Sequence, residues 1–247
     1  KLAVIAAVLE GRISIDASEF KEQLAQYEQS PQASRYVGEF RPIDPKNPKG
    51  GLKPYRQTSE GAAIIPVFGS LVNRGGFLDA MSGITSYEKL KHQLNSAGSD
   101  RDVTAVIMPF DTGGGEAIGA FETGDTARQV SLIKPVYAVA DGLCCSAGYA
   151  IASGASRVFS SRSSLTGSIG TALLHLDRSK QLSDMGVKPT LFVTGKRKAD
   201  GSPFFELSDE VKGELRSYVN RVNQNFLDLV AKHRGISQEK LLAMEAG

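Results

Sequence analysis

Two cysteines and a serine stand side by side in the stretch DGLCCSAGYAIAS, residues 141–153, and each carries a nucleophilic side chain. The stretch follows an apolar run of strand type and leads into a run of small residues of helix type. Ser146 therefore stands at a strand-to-helix turn, where a helix N-terminus stabilises negative charge that develops beside it. This position suits a nucleophile, and it equally suits a serine that caps the helix. Cys144 and Cys145 are interpreted as small buried packing residues.

A serine hydroxyl needs a base to remove its proton, and the chain offers three histidines and many lysines. His92 is expected on the polar side of a helix, and His233 in the basic end of the last helix. His175 follows an apolar, strand-like run and is the histidine candidate. A lysine is the other candidate, although a lysine pKa of about 10.4 in water must fall through burial before the amine accepts a proton near neutral pH. Spacing alone leaves the choice of base open.

A second loop that could take part in catalysis is DTGGGEA, which follows the apolar run VTAVIMPF. Gly113, Gly114 and Gly115 leave backbone N–H groups unobstructed and permit positive φ, as an anion cradle or oxyanion hole requires. A plain turn is the alternative. The loop is not a phosphate-binding loop of the nucleotide type, because no GK[ST] motif follows it.

Apolar strands alternate with helical segments from residue 62 onward, which predicts an α/β fold. The strands are AAIIPVFGSL, VTAVIMPF and KPVYAVAD, and the helices are one capped by Ser86 and one over residues 116–131. The first helix places four residues on one face: Tyr87, Leu90, Leu94 and Ala97. Strands that are apolar throughout and joined by helical crossovers predict a parallel sheet covered on both sides, with ligands at the carboxyl ends of its strands.

The last predicted element is a long C-terminal helix that begins at Ser208 or Asp209 and ends at KHRG. Its expected apolar stripe consists of Val211, Leu215, Tyr218, Val219, Val222, Phe226, Leu229 and Val230. At the other end, residues 1–60 are interpreted as an accessory arm and linker. Their helix-compatible pieces LAVIAAVLEG and ASEFKEQLAQYEQS lead into the proline- and glycine-rich stretch RPIDPKNPKGGLKP.

Composition narrows the classes of partner. The net charge of +2 is nearly balanced and the basic residues are scattered, so no nucleic-acid partner is expected. Two adjacent cysteines do not make a disulfide framework, which favours a reducing compartment. The apolar run LAVIAAVL is too short to span a bilayer and no cleavage site follows it, so neither a membrane anchor nor a signal peptide is expected. Because the chain begins at Lys1 rather than Met, it is expected to be part of a longer protein.

The run DGLCCSAGYAIASGASRVFSSRSSLTGSIG resembles the signal peptide peptidase A family of serine proteases, and within it the tailed-phage capsid (prohead) maturation proteases. The resemblance rests on a serine before AG, an alanine-rich helix, TGSIG and the loop GKRKADGSP, in this order. It spans roughly residues 62–235. It implies a crotonase/Clp-protease-like α/β fold of stacked ββα units with a parallel sheet. The arm would be residues 1–60, and residues 61–247 would be a Ser-Lys peptidase domain that is truncated at its C-terminus.

Carried over position by position, the resemblance implies that Ser146 is the nucleophile, Lys198 the general base and Ser168 the residue that orients the lysine. The family's SPGG turn corresponds to TGGG here, so the N–H of Gly114 is the implied oxyanion donor and that of Ala147 a second. Gly113 replaces the usual proline, which loosens the turn. The resemblance also implies a protein substrate such as capsid or scaffold proteins, a homo-oligomeric ring, and a location in the phage prohead within the host cytoplasm. No cofactor or metal is expected.

Four alternatives stay open. The first is a bacterial signal-peptide peptidase-like enzyme, which would be membrane-associated if the missing termini carry an anchor. The second is a Clp-type Ser-His-Asp peptidase that uses Ser146 with His175, disfavoured because TGSIG occupies the stretch where the histidine is expected. The third is a non-catalytic, ring-forming capsid component. The fourth is an acyl-CoA enzyme of the crotonase class, in which glycine-loop N–H groups hold a thioester oxygen.

Overall fold

A computed structural model describes residues 53–75 and 83–244 of the 247-residue chain. Most of the predicted N-terminal arm, residues 1–52, lies outside the described residues. The contacts divide the chain into two compact units, which are described separately: a larger one up to Ile169 that also takes in the chain from Phe226 onward, and a smaller one over Gly170–Asn225.

The larger unit is built on an eight-stranded sheet, parallel except for its first strand pair. Its strands are β1 Arg56–Gln57, β2 Ala62–Ile64, β3 Val67–Val72, β4 Ile84–Ser86, β5 Ala105–Gly115, β6 Val136–Cys145, β7 Arg157–Ser160 and β8 Leu165–Gly167. The two long strands, β5 and β6, pair with each other at the centre. β5 carries β2 and then β3 along its other edge, and β6 carries β7 and then β8. The predicted α/β class and parallel sheet are confirmed.

The first predicted strand differs in detail from the sequence expectation. AAIIPVFGSL forms two strands, β2 and β3, which break around Pro66. Proline has no N–H to give to a ladder, so it separates two strands that both pair with β5. Burial along β5 alternates, with Val106, Met108 and Phe110 buried and the residues between them half-buried or exposed. The other face of β5 is half-buried up to Pro109 and exposed from Asp111 onward.

Six helices are present among the described residues, and the first three of them pack against the sheet. They are α1 Tyr87–Ser99, α2 Ala120–Ser131, α3 Ala147–Ser153, α4 Ser179–Asp184, α5 Asp209–Arg234 and α6 Gln238–Ala243. Helix α1 matches its prediction: the Ser86 hydroxyl accepts a hydrogen bond from the Lys89 N–H at 3.3 Å, and the whole predicted face is buried. Such a cap contributes about 1 kcal/mol to helix stability. A second apolar cluster joins the end of α5 and α6 to α3 through Phe226, Val230 and Ala150, among others.

Helix α5 begins and ends as predicted, with the Ser208 hydroxyl accepting from the Val211 N–H and Gly235 in the left-handed region after its last residue. Its predicted apolar stripe is only half correct. Phe226, Leu229 and Val230 are buried, whereas Val211, Leu215, Tyr218, Val219 and Val222 are not. The reason is that the first part of α5 belongs to the smaller unit, and no residue of 170–225 is buried.

The predicted boundary at residue 60 falls inside folded structure. Residues 56–57 form β1, and the buried Tyr55 packs into the main core cluster. The Tyr55 hydroxyl donates to Asp100 at 2.7 Å, and the Lys53 ammonium lies 2.7 Å from the same carboxylate. These contacts attach the segment before β2 to the end of α1. Within the described part of the chain, no helix is both long and apolar enough to cross a membrane.

Candidate active site

Ser146 occupies the turn between β6 and α3 in a conformation that side chains rarely adopt. Its φ is +52° and its ψ is −123°. Its N–H donates to the Gly167 carbonyl at 2.8 Å, and its carbonyl accepts from the Ala150 N–H at 3.0 Å. Positive φ in a non-glycine residue costs of order 1–3 kcal/mol and persists only where the surrounding structure imposes it. The strand and the helix on either side of Ser146 impose it here.

The same geometry shows that Ser146 does not cap helix α3 through its side chain. Ser146 stands at the N-cap position of α3, but its side chain makes no capping hydrogen bond. Capping serines have extended backbone, as Ser86 has at the start of α1, and Ser146 does not. The half-buried Ser146 hydroxyl is therefore held at a strained strand-to-helix turn for a reason other than capping.

The glycine loop at the end of β5 lies directly against this serine. Gly114 has a φ of +108°, and a Cβ added to it would lie 2.6 Å from the Ser146 Cβ and 3.0 Å from its Oγ. No side chain fits at position 114 beside Ser146. Gly113 is different, because a Cβ there would have no atom within 4 Å and its backbone is outside the left-handed region.

The N–H groups of the glycine loop differ in their hydrogen-bond acceptors. The Gly114 N–H, the donor implied by the sequence resemblance, donates to the Thr112 hydroxyl at 3.0 Å. The Glu116 N–H donates to the Leu71 carbonyl of β3 at 2.9 Å. Successive N–H groups of an extended strand point to opposite sides, so we infer that the Gly115 N–H points away from β3, toward the β6 side. Three equal glycines in the sequence give no signal of which N–H a ladder uses.

Ala147 and Ser168 complete the neighbourhood of Ser146. Ala147 is the first residue of α3, and the first N–H groups of a helix have no acceptor within the helix. Ser168 follows β8, whose last residue, Gly167, pairs with Cys145. The two serines thus follow paired residues of adjacent parallel strands. Ser168 is exposed, and with a φ of +51° it is the other non-glycine residue among those described that has positive φ.

Lys198 and His175 lie in the smaller unit. Lys198 is exposed on a turn between Gly195 and Gly201, both with positive φ, and its N–H donates to the Gly195 carbonyl at 3.2 Å. The Nε2 atom of His175 lies 3.3 Å from the Ser202 carbonyl oxygen. The pairing of either residue with Ser146 stays a prediction.

The two cysteines are buried and free, as the packing interpretation requires. Burial raises the pKa of the Cys144 thiol to about 12, and the neighbouring Cys145 adds to this effect. The Cys145 thiol donates to the Leu165 carbonyl at 3.4 Å. A thiol needs its thiolate form to react, so Cys144 is not a nucleophile near neutral pH.

A Ser-His-Asp chain of hydrogen bonds exists elsewhere in the larger unit, and sequence reasoning did not find it. The Nδ1 atom of His233 lies 3.0 Å from the Ser153 hydroxyl, and its Nε2 atom lies 3.1 Å from an Asp125 carboxylate oxygen. The side chain of His233 is fully buried and Ser153 is inaccessible. A substrate cannot reach this serine, so the chain joins α5 to α2 and α3 and is not a second active site.

Comparison with known proteins agrees with the sequence resemblance. Residues 128–246 match the model of peptidase family S49. Capsid assembly protease C of Escherichia phage lambda is 38% identical over 190 residues, which are 77% of this chain and 43% of that protein. Head-tail preconnector protein GP5 of Enterobacteria phage P21 is 34% identical over 199 residues, 80% of this chain and 40% of that protein.

More distant similarities extend to cellular proteases and to one solved fold. Serine protease SPPA, chloroplastic, of Arabidopsis thaliana is 24% identical over 186 residues, 75% of this chain and 28% of that protein. A solved structure of a ClpP1 mutant from Listeria monocytogenes matches with a TM-score of 0.41 and 16% identity, covering 73% of this chain and 77% of that one. The chain spans less than half the length of either phage relative.

Proposed function

We propose that the chain is a serine endopeptidase with Ser146 as nucleophile and Lys198 as general base, in keeping with the match of residues 128–246 to the model of peptidase family S49. The observation that carries the proposal is the backbone of Ser146. A positive φ at a strand-to-helix turn lifts a hydroxyl out of the strand at the N-terminus of α3, with a glycine loop against it. Turns of this kind present the nucleophile in other serine hydrolases.

The proposed chemistry follows from the groups at this turn. The Ser146 hydroxyl attacks the carbonyl carbon of the scissile peptide while the Lys198 amine takes its proton. Negative charge develops on the carbonyl oxygen and is stabilised by N–H groups of Ala147 and of the glycine loop. The C–N bond then breaks, the lysine returns the proton to the leaving amine, and water hydrolyses the acyl-enzyme. Ser168 is proposed to orient the lysine.

Two donors in the glycine loop are candidates for the oxyanion hole. The Gly114 N–H serves only if it leaves the Thr112 hydroxyl, which holds it at 3.0 Å. The Gly115 N–H needs no such rearrangement, and we therefore propose that it contributes more to stabilising the oxyanion than the Gly114 N–H does.

The names of the phage relatives support a substrate class. One is a capsid assembly protease and the other a head-tail preconnector protein. We propose that this chain cleaves capsid or scaffold proteins of a phage, within the prohead in the host cytoplasm. The peptidase domain is proposed to begin before residue 61 and to include Tyr55 and β1, which are part of its fold. The accessory arm is proposed to precede it.

A homo-oligomer is also proposed. Residues 170–225 have no buried side chain, yet they include large apolar ones, among them Phe192 at 90% and Leu174 at 81% exposure. A segment that exposes this much apolar surface is typical of an interaction surface. A second copy of the chain is the partner implied by the family resemblance.

The test is mass spectrometry of the protein co-expressed with the capsid and scaffold proteins of its phage. Wild type is expected to cleave them, and Ser146→Ala and Lys198→Ala to lose at least about 10³-fold in rate. Lys196→Ala is the matched control, because it removes an exposed lysine two positions away. Cleavage that survives in Ser146→Ala contradicts the proposal. If cleavage is lost in His175→Ala and kept in Lys198→Ala, the general base is His175 and not Lys198.

A further inference from the structure

Thr112 is a buried polar residue next to the proposed site, and its hydroxyl joins two irregular points of the sheet. The hydroxyl donates to the Gly69 carbonyl at 2.6 Å and accepts from the Gly114 N–H at 3.0 Å. Gly69 lies where the register of β3 against β5 shifts, and both glycines have positive φ. Such irregular points interrupt the regular ladder, and the threonine hydroxyl gives a hydrogen-bond partner to one backbone group of each strand.

The methyl group of the same side chain contacts the helix that follows Ser146. A Cβ added to Gly148 would lie 2.5 Å from the Thr112 Cγ2. Gly148 is the second residue of α3, in the turn that Ser146 opens. The methyl group therefore occupies the space beside the first turn of α3, and no larger residue than glycine fits opposite it.

One side chain thus touches three parts that an acyl-transfer site must hold in register: β3, the glycine loop and the first turn of α3. By fixing the Gly114 N–H, the hydroxyl also fixes the peptide plane before Gly114. The orientation of that plane limits where the following Gly115 N–H points. Donors to a developing oxyanion act only when they are already oriented, since reorientation during the reaction costs free energy.

We propose that Thr112 is a positioning residue, which sets the oxyanion donors of the glycine loop relative to Ser146 through its hydroxyl. This rests on the proposed function, because it assigns a role within the same site. Thr112 itself does not touch the substrate. Its hydroxyl acts through the Gly114 N–H and its methyl group acts through the packing at Gly148.

Two variants separate the hydroxyl from the methyl group. Thr112→Val keeps the branched shape and removes the hydroxyl, and Thr112→Ser keeps the hydroxyl and removes the methyl group. The probe is a fluorophosphonate on the full chain: the Ser146 oxygen forms a bond to phosphorus, fluoride leaves, and the serine proton passes to the base. The phosphonyl oxygen takes the place of the oxyanion. The saturating labelling rate and the half-saturating probe concentration are measured separately, at a temperature where circular dichroism shows both variants folded.

The saturating labelling rate is expected to fall about tenfold or more in Thr112→Val, at unchanged half-saturating concentration, and Thr112→Ser is expected to restore it to within about threefold of wild type. In Thr112→Val, amide hydrogen exchange of Gly114 should also speed up, because the N–H loses its acceptor. Equal labelling of Thr112→Val and wild type overturns the positioning role, as does a rate in Thr112→Ser as low as in Thr112→Val. If wild type is not labelled at Ser146, the proposed function fails and the positioning role fails with it, whatever the exchange of Gly114 shows.

Discussion

At the residue scale, two adjacent glycines differ in what the site demands of them. Gly114 has a φ of +108° and stands against Ser146, whereas Gly113 has free space where a Cβ would be. The sequence presents them as equal members of a triplet. The structure gives one of them a contact with the proposed nucleophile and leaves the other exposed.

Substituting each with alanine tests this difference. Gly114→Ala is expected to lose about 2 kcal/mol or more of unfolding free energy, because alanine is strained at positive φ and its Cβ would overlap Ser146. Labelling of Ser146 by a fluorophosphonate should fall about 10²-fold or more, since the loop must move away from the serine. Gly113→Ala should change stability by less than about 0.5 kcal/mol. Urea unfolding and labelling rates measure both, and equal effects of the two substitutions would show that the loop adapts freely.

Backbone conformation at the two serines lies beyond sequence reasoning for a physical reason. The family resemblance implies Ser168 only as the residue that orients the lysine, and in the structure Ser146 and Ser168 follow paired residues of adjacent strands. The positive φ of Ser146 is imposed by the strand and the helix on either side of it, and serine has no intrinsic preference for positive φ at either position. A sequence motif can therefore indicate candidate site residues, whereas their strained backbone conformation depends on tertiary contacts.

At the element scale, predictions succeed where a segment carries its own boundary signals. Helix α1 has a capping serine and a complete apolar face, and both are present in the structure. The stripe of α5 is equally periodic, but its first half has no core to face. Periodicity reports that a helix is amphipathic and cannot report what covers its apolar face. Strands β7 and β8 are short and largely exposed, so alternation gave no signal for them.

The buried histidine that fixes α5 should make stability depend on pH. Burial lowers the pKa of His233, and Lys232 and Arg128 act in the same direction while Asp125 opposes them. Unfolding returns the ring to its ordinary pKa of 6.5, so near pH 6 the unfolded chain binds more protons than the folded one. Stability is therefore expected to fall as the pH drops through about 6.5.

His233→Ala removes that dependence and also breaks the contacts with Ser153 and Asp125. At pH 7.5 it should cost about 2 kcal/mol or more of unfolding free energy, from the cavity and the lost hydrogen bonds. The exposed His92 supplies the control, since His92→Ala should change stability by less than about 0.5 kcal/mol and keep the pH dependence. Urea unfolding from pH 7.5 to 5.5 measures both quantities. A wild-type protein that gains stability on acidification in this range contradicts the neutral, buried ring.

At the scale of the whole molecule, the two units differ in how their apolar residues are used. The larger unit buries its apolar side chains in two clusters, whereas residues 170–225 bury none. The amino-acid composition is an average over the two units, and it is typical of an ordinary globular protein. A unit of this size buries a smaller share of its surface than a larger one does.

Assembly is the consequence to test at this scale. If Phe192, which is 90% exposed, packs against a second copy of the chain, an aspartate there must lose its hydration or separate the copies. Phe192→Asp is expected to weaken association by about 2–4 kcal/mol, or about 30-fold to 1,000-fold in dissociation constant. Leu132→Asp is the matched control, because Leu132 is 73% exposed but belongs to the larger unit. Light scattering coupled to size exclusion should show wild type and Leu132→Asp as the same oligomer and Phe192→Asp as a smaller species. A wild type that stays monomeric at tens of micromolar would leave the apolar surface of residues 170–225 to the substrate rather than to a second copy.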